Sequence, residues 1–176
     1  MGYLNNLFIY GINKFAKDIS GVIDAVICVD LPSDVIEEKQ LKEVLKKENI
    51  ALIKLITPTT SDERIKEIVK DAEGFVYSVN VEGQTGVKSA NLDKVNSQIE
   101  RIKKFTKIPV VSGFGIKNEE DVKVFSKSKA DGIVLGSAIV KKIQEKYHEN
   151  RDKHIVANFI KDYCKKLIEN LNKWIG

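Results

Sequence analysis

The sequence predicts an α/β fold: a parallel (β/α)₈ barrel of the TIM type, represented by about five to six strand–helix units. Three observations lead there. Short apolar runs alternate with longer amphipathic segments along all 176 residues. The runs are continuous and rich in β-branched residues, as strands buried on both faces should be. Glycine-rich turns close the last three of them, at Gly83-Gln84-Thr85-Gly86, Gly113-Phe114-Gly115 and Gly136-Ser137-Ala138. Alternation alone suits an open doubly wound sheet equally well. An open sheet usually carries its glycine turn after the first strand. A barrel typically holds phosphate on the loops after its final strands, and the turns here are placed that way.

Each element has its own justification. Residues 1–3 offer a strand stub, and residues 12–19 a helix. Residues 25–29, Ala-Val-Ile-Cys-Val, form the first full strand, ended by Leu31-Pro32. Ser33 or Asp34 is positioned to cap the following helix, with Glu37 completing a capping box and Ile36, Leu41, Val44 and Leu45 as its apolar face. Residues 51–56 make the next strand, closed by Thr57-Pro58, and residues 61–71 a helix with Ile65, Ile68 and Val69 inward. Strand 75–79 precedes a loop over about residues 80–92 and a helix carrying Val95, Ile99 and Ile102. Strand 108–112, helix 118–126, strand 132–135, helix 138–143 and a long helix over 156–174 complete the series. No linker or low-complexity stretch interrupts it, so residues 1–176 read as a single, partial barrel domain.

Composition narrows the function. Hydrophobic residues at 43% and charged residues at 31% describe an ordinary globular chain. The net charge of +4 comes from lysines interleaved with acids, and only Arg64, Arg101 and Arg151 are arginine, which argues against a nucleic-acid face. No apolar run reaches the roughly 18–20 residues of a membrane span, and no secretory signal is visible. Cys28 and Cys164 lie far apart, as reduced thiols of a cytoplasmic protein would. His148 and His154 lack a third ligand, so no metal site is expected.

The glycine turns carry the chemistry. Glycine lets backbone N–H groups approach a ligand closely, and a helix beginning there aims its positive dipole end at an anion. A phosphate monoester is the implied ligand.

The ordered set of motifs resembles the α subunit of tryptophan synthase. It comprises Tyr3-Leu4-Asn5, Val29-Asp30-Leu31-Pro32, Thr57-Pro58-Thr59-Thr60-Ser61-Asp62-Glu63-Arg64, Gly74-Phe75-Val76-Tyr77, Gly83-Gln84-Thr85-Gly86, Gly113-Phe114-Gly115-Ile116 and Gly136-Ser137-Ala138-Ile139-Val140. The resemblance implies reversible cleavage of indole-3-glycerol phosphate to indole and glyceraldehyde 3-phosphate. It implies no cofactor in this chain, and a β subunit as partner in an α2β2-type complex, where pyridoxal phosphate would reside. Gly86, Gly115, Gly136 and Ser137 would hold the substrate phosphate, while Tyr3 and Phe114 would flank indole. Asp30, Tyr77 and Thr85 would stand at the reacting end, Thr85 closing a loop over the site. Read without the resemblance, the glycines also suit tight turns, Phe114 a buried plug, Tyr77 a core tyrosine and Asp30 a cap on the helix after it.

The family pattern is broken in places. Val81 stands where the family carries a loop arginine, and Gln84 where a small apolar residue is usual. The resemblance also implies that the family's catalytic glutamate and aspartate precede the matched region. The chain is therefore expected to begin near the third barrel strand, through truncation, an internal start at Met1 or a misplaced gene boundary. Two rival readings remain: a non-catalytic phosphate-binding module that docks on the β subunit, and another phosphate-binding barrel enzyme. Asp30-Leu31-Pro32 and residues 57–64 speak against the second.

Overall fold

Parallel pairing organises the molecule. A computed structural model describes residues 1–79, 89–113 and 119–172. Strand β1 (Ala25–Val26) pairs with β2 (Ala51–Leu52), Val26 opposite Leu52. One residue later the chain resumes as β3 (Lys54–Ile56), which opens a second sheet of four parallel strands, in the order β3, β4 (Val76–Val79), β5 (Val110–Gly113) and β6 (Gly132–Val134). Gly2 adds a position ahead of β1. Its N–H donates to Ile27 O at 2.9 Å and its carbonyl accepts from Val29 N at 3.0 Å. The strands that pair with one another are joined by helices, as parallel pairing requires.

Eight helices lie among the described residues: α1 (Leu4–Tyr10), α2 (Ile12–Ile19), α3 (Ile36–Lys47), α4 (Asp62–Val69), α5 (Ser89–Lys103), α6 (Glu119–Phe125), α7 (Ser137–Glu149) and α8 (Lys153–Asn172). Helix α1 is a departure from the sequence reading, which has no helix before residue 12. Gly11 separates it from α2 at a φ of 91°, a conformation that favours glycine. Ser61 caps α4 as its position suggests, accepting from Arg64 N at 3.3 Å.

The capping box before α3 does not form. Val35 is the N-cap, and no side chain bonds the first turn there. Asp34 instead adopts a φ of 74°, and its carboxylate pairs with Arg64. Ile36, expected on the apolar face of α3, is 71% exposed.

Register decides the core. Val76 stands opposite Lys54 and Val110, so these three share one face of the sheet with Ile56, Ser78 and Ser112. That face is covered by Ile65, Ile68 and Val69 of α4, Val95, Ile99 and Ile102 of α5, and Val122 of α6. A second apolar cluster joins Leu7, Ala16, Val26, Cys28, Leu41, Leu45 and Leu52 around the β1–β2 pair. The opposite face carries Leu55, Tyr77, Val79 and Val111, and Leu55, Val79 and Val111 are only half-buried.

One charge lies on the helix-covered face. Lys54 is buried and pairs with Glu38 of α3, itself buried. Asp71, just after α4, lies 3.6 Å from the same ammonium and also takes Lys42. Attraction repays the desolvation of such a pair only while both partners are present. Replacing Lys54 by Met alone should therefore cost about 3–5 kcal/mol in urea unfolding, and Lys54→Met with Glu38→Leu should recover most of it.

A second polar tie closes the ladder at β6. Asp131 Oδ2 accepts from Val110 N at 2.7 Å, while Oδ1 accepts from Lys103 Nζ at 2.7 Å. Partial burial pushes its carboxyl upward, but Lys103 and the Val110 N–H outweigh that and hold it below the ordinary value of 3.8. A lowered folded value adds stability above the unfolded pKa and loses it as pH falls through the folded one. Acid titration of unfolding should thus show a limb below about pH 4 that Asp131→Asn flattens.

Candidate functional site

Because the strands are parallel, the segments that follow them emerge at one end of the sheet, the end where barrel sites are built. Asp30, Thr57 and Gly136-Ser137 lie on such segments among the described residues. Thr85, Gly86, Phe114 and Gly115 fall outside the described residues, as do Val81 and Gln84.

Asp30 and Tyr3 come together although 27 positions separate them. Asp30 Oδ1 accepts from Leu4 N at 2.8 Å, and Tyr3 is the N-cap of α1. Asp30 therefore caps α1, at the start of the chain, and not the helix that follows it. Its negative charge at an N-terminus is favourable. The Cys28 thiol also donates to Asp30 Oδ1, at 3.5 Å. Burial, reinforced by Asp30, pushes that thiol up to about 11, so Cys28 is protonated at neutral pH and is not a nucleophile. Tyr3 itself is 59% exposed.

Tyr77 is buried on the half-covered face of the sheet, and burial raises its hydroxyl above the ordinary 10.0. A proton on that oxygen is thus retained across the neutral range. Its place depends on Gly113, a residue the sequence reading counts only as part of a turn. A Cβ at Gly113 would stand 1.9 Å from Tyr77 Oη and 2.4 Å from Cζ. The glycine leaves the space the tyrosine ring occupies. The sequence signal was present in the Gly-Phe-Gly turn, but its partner is identified only by register, which sets Val79 opposite Gly113.

Gly113 in turn faces Val134, two residues before Gly136. Gly136 is the N-cap of α7, with no side chain capping it, and Ser137 opens the helix. Ile139 N and Val140 N both bond to Gly136 O, at 3.0 and 3.1 Å. The N–H groups of Ser137 and Ala138 belong to the first turn, which lacks acceptors within its own helix. A Cβ at Gly136 would meet nothing within 4 Å, so the approach to this turn is open.

Arg64 is a second feature that the sequence alone left without a role. From α4 it donates to the Asp34 carboxylate and, at 2.6 Å, to Ser33 O. It ties the segment after β1 to the first turn of α4, and so steadies the stretch that follows Asp30. Among the described residues no group of three or more His, Cys, Asp and Glu side chains is arranged to hold a metal, and no helix is long and apolar enough to cross a membrane.

Known proteins resemble this chain over nearly its full length. A family model described as Tryptophan synthase alpha chain matches residues 1–170. The Tryptophan synthase alpha chain of Phenylobacterium zucineum is 41% identical over 153 residues, covering 86% of this chain and 54% of the relative. A crystal structure of tryptophan synthase subunit alpha from Legionella pneumophila superposes with a TM-score of 0.77 at 32% identity, covering 97% of this chain and 62% of that one. The subunit alpha of Campylobacter jejuni gives 0.75 at 36% identity, covering 90% and 61%. The chain therefore spans little more than half the length of the first of these relatives, and its fold is an incomplete barrel.

The Tyr77–Gly113 contact makes a direct prediction. Gly113→Ala should cost about 1–3 kcal/mol in denaturant unfolding, the usual penalty of overpacking. Adding Tyr77→Leu should relieve part of it, giving a coupling of about 0.5–3 kcal/mol in the double-mutant cycle. Strictly additive effects would show that the two side chains do not compete for this space.

Proposed function

The chain belongs to the tryptophan synthase alpha chain family, and from that premise we propose that it holds indole-3-glycerol phosphate for aldol cleavage to indole and glyceraldehyde 3-phosphate. The observation that carries this reading is the turn at Gly136-Ser137, directly after β6 and opening α7. Gly136 and Ser137 take the phosphate through the unpaired N–H groups of the first turn and the serine hydroxyl, assisted by the helix dipole. Gly86 and Gly115 complete that cradle, and Phe114 and Tyr3 flank the indole ring. Residues 1–176 act in this as one domain.

The chemistry needs two proton movements and one proton held. Indole C3 gains a proton, which puts positive charge on the ring that the indole N–H must share. A base then takes the proton from the glycerol hydroxyl, whose oxygen becomes the aldehyde as the carbon–carbon bond to C3 breaks, and the electron pair of that bond returns to the ring and restores neutral indole. Tyr77, protonated at neutral pH, and Asp30 stand at the reacting end, and Thr85 closes the loop above them. Asp30 already carries the α1 N-terminus, so it does not serve as both acid and base. The family's glutamate and aspartate have no counterpart among the matched motifs, and turnover requires those two carboxylates. Each of the two contributes about 10²–10⁴-fold to the rate. The reaction itself uses no cofactor in this chain. Indole passes to a β subunit that carries pyridoxal phosphate, in a complex of α2β2 type in the cytoplasm.

Binding and turnover are measured separately. Titration of the chain with indole-3-glycerol phosphate should show saturable binding competed by inorganic phosphate. Ser137→Asp should weaken it at least tenfold, because a carboxylate at that turn repels the phosphate. The same substitution suits a helix N-terminus and so does not unfold α7. Indole release should stay near background for the chain alone. Binding that ignores Ser137→Asp would refute the phosphate assignment, and robust indole release would refute the need for the two carboxylates.

A further inference from the structure

One residue interrupts the apolar stripe that α5 turns toward the sheet. Positions 95, 98, 99 and 102 have the spacing of a single helix face, and Val95, Ile99 and Ile102 fill three of them. The fourth is Gln98, which is 6% exposed and donates from Nε2 to Ile56 O at 3.3 Å. The sheet meets it with two more polar residues. Register sets Ile56, Ser78, Ser112 and Ile133 side by side on the helix-covered face, and both serines are fully buried. Among the described residues, Ser78 Oγ has no hydrogen-bond partner. A buried hydroxyl left in that condition is costly, and internal waters are what such groups bind in folded proteins.

We propose that Ser78, Ser112 and Gln98 form a binding site for one internal water molecule between the sheet and α5. Three features select water as the ligand. Neighbouring strands lie about 4.7–4.9 Å apart, so opposed hydroxyls that do not bond each other are spanned by one water at ordinary hydrogen-bond lengths. Each group also has capacity for it. A serine hydroxyl carries one donor and two acceptor sites, so Ser112 can take a water in addition to another bond. Gln98 directs an N–H at Ile56 O and keeps its carboxamide oxygen as an acceptor. Three partners are the typical complement of a buried water. Finally, Gln98 and the four residues of the row are all uncharged, so an ion there would lack the counter-charge that burial demands. The serines are also the small residues of the row, between Ile56 and Ile133, which puts the room beside the hydroxyls. Ser78 follows Tyr77 and Ser112 precedes Gly113, so the water joins β4 to β5 where the tyrosine meets the glycine. The site is independent of the phosphate assignment, because a folded chain that binds no phosphate would still hold this water.

The test combines direct detection of the water with the sign of a stability change. Water–protein cross-relaxation in NMR of the 176-residue chain should show a long-lived water beside the amides of Ser78, Ser112 and Gly113. Ser78→Ala, a substitution small enough to keep the fold, should abolish that signal. It should also raise the unfolding equilibrium constant by about threefold or more, as loss of a made hydrogen bond does. Gln98→Leu completes the apolar stripe and should weaken the same signal. In the Ser78→Ala/Gln98→Leu double variant, the second substitution should have a smaller effect than it has alone, because the shared water is already lost. A Ser78→Ala chain as stable as the unsubstituted one, or more stable, overturns the proposal, since the hydroxyl would then be an unsatisfied group whose removal costs nothing. So does the lack of a long-lived water signal in the unsubstituted chain, a signal that survives Ser78→Ala, or strict additivity of the two substitutions.

Discussion

The register of the parallel ladder from β3 to β6 is the constraint on which the rest of the molecule depends. Side chains alternate faces along a strand, and a slip of one residue would exchange them all. In the observed register, Val76 and Val110 face the helices while Tyr77 and Val111 face the other way. The same register carries Lys54 to the helix side, where Glu38 meets it. A buried ammonium without that carboxylate would be costly, so the ion pair penalises any slip of β3. Apolar burial stabilises the layer, and the polar pair discriminates between registers.

The same geometry prepares the functional end. Tyr77 and Gly113 sit on neighbouring strands of the half-covered face, and the small residue makes room for the large one. Val134 opposite Gly113 then sets where β6 ends and where α7 begins. A helix start with an open approach follows from that placement. Polar ties hold the outlying segments to this frame: Asp30 fixes the start of α1, Arg64 the segment after β1, and Asp131 the entry to β6. Each is an interaction between a side chain and backbone, which fixes chain position more directly than contact between two flexible side chains.

Much of this was legible in advance. The strands announce themselves because continuous β-branched runs suit burial on both faces. Ile65, Ile68, Ile99 and Ile102 were legible as core because their helical spacing puts them on one face. Helix α1 was not, because Phe8, Ile9 and Tyr10 are exposed beside Asn5 and Asn6 and blur its apolar face, and its first N–H is satisfied from Asp30 far along the chain. Asp34 misled for a related reason. Its composition suits a cap, but Arg64 draws its carboxylate elsewhere and the backbone takes a left-handed turn. Ile36 was counted as core on periodicity alone, yet it begins α3 beyond the edge of the packed layer.

The sequence by itself determined the alternation of strand and helix, the parallel character of the sheet, the glycine-rich turns and the family to which the chain belongs. These are local properties: spacing, branching and backbone freedom act within a few residues. Only the tertiary structure decided that Asp30 serves Leu4, that Arg64 serves Asp34, that Lys54 meets Glu38 and that Gly113 exists for Tyr77. Those pairs are 16 to 36 positions apart in the chain. Their meeting depends on strand register and on the helical crossovers between strands, which no local pattern encodes.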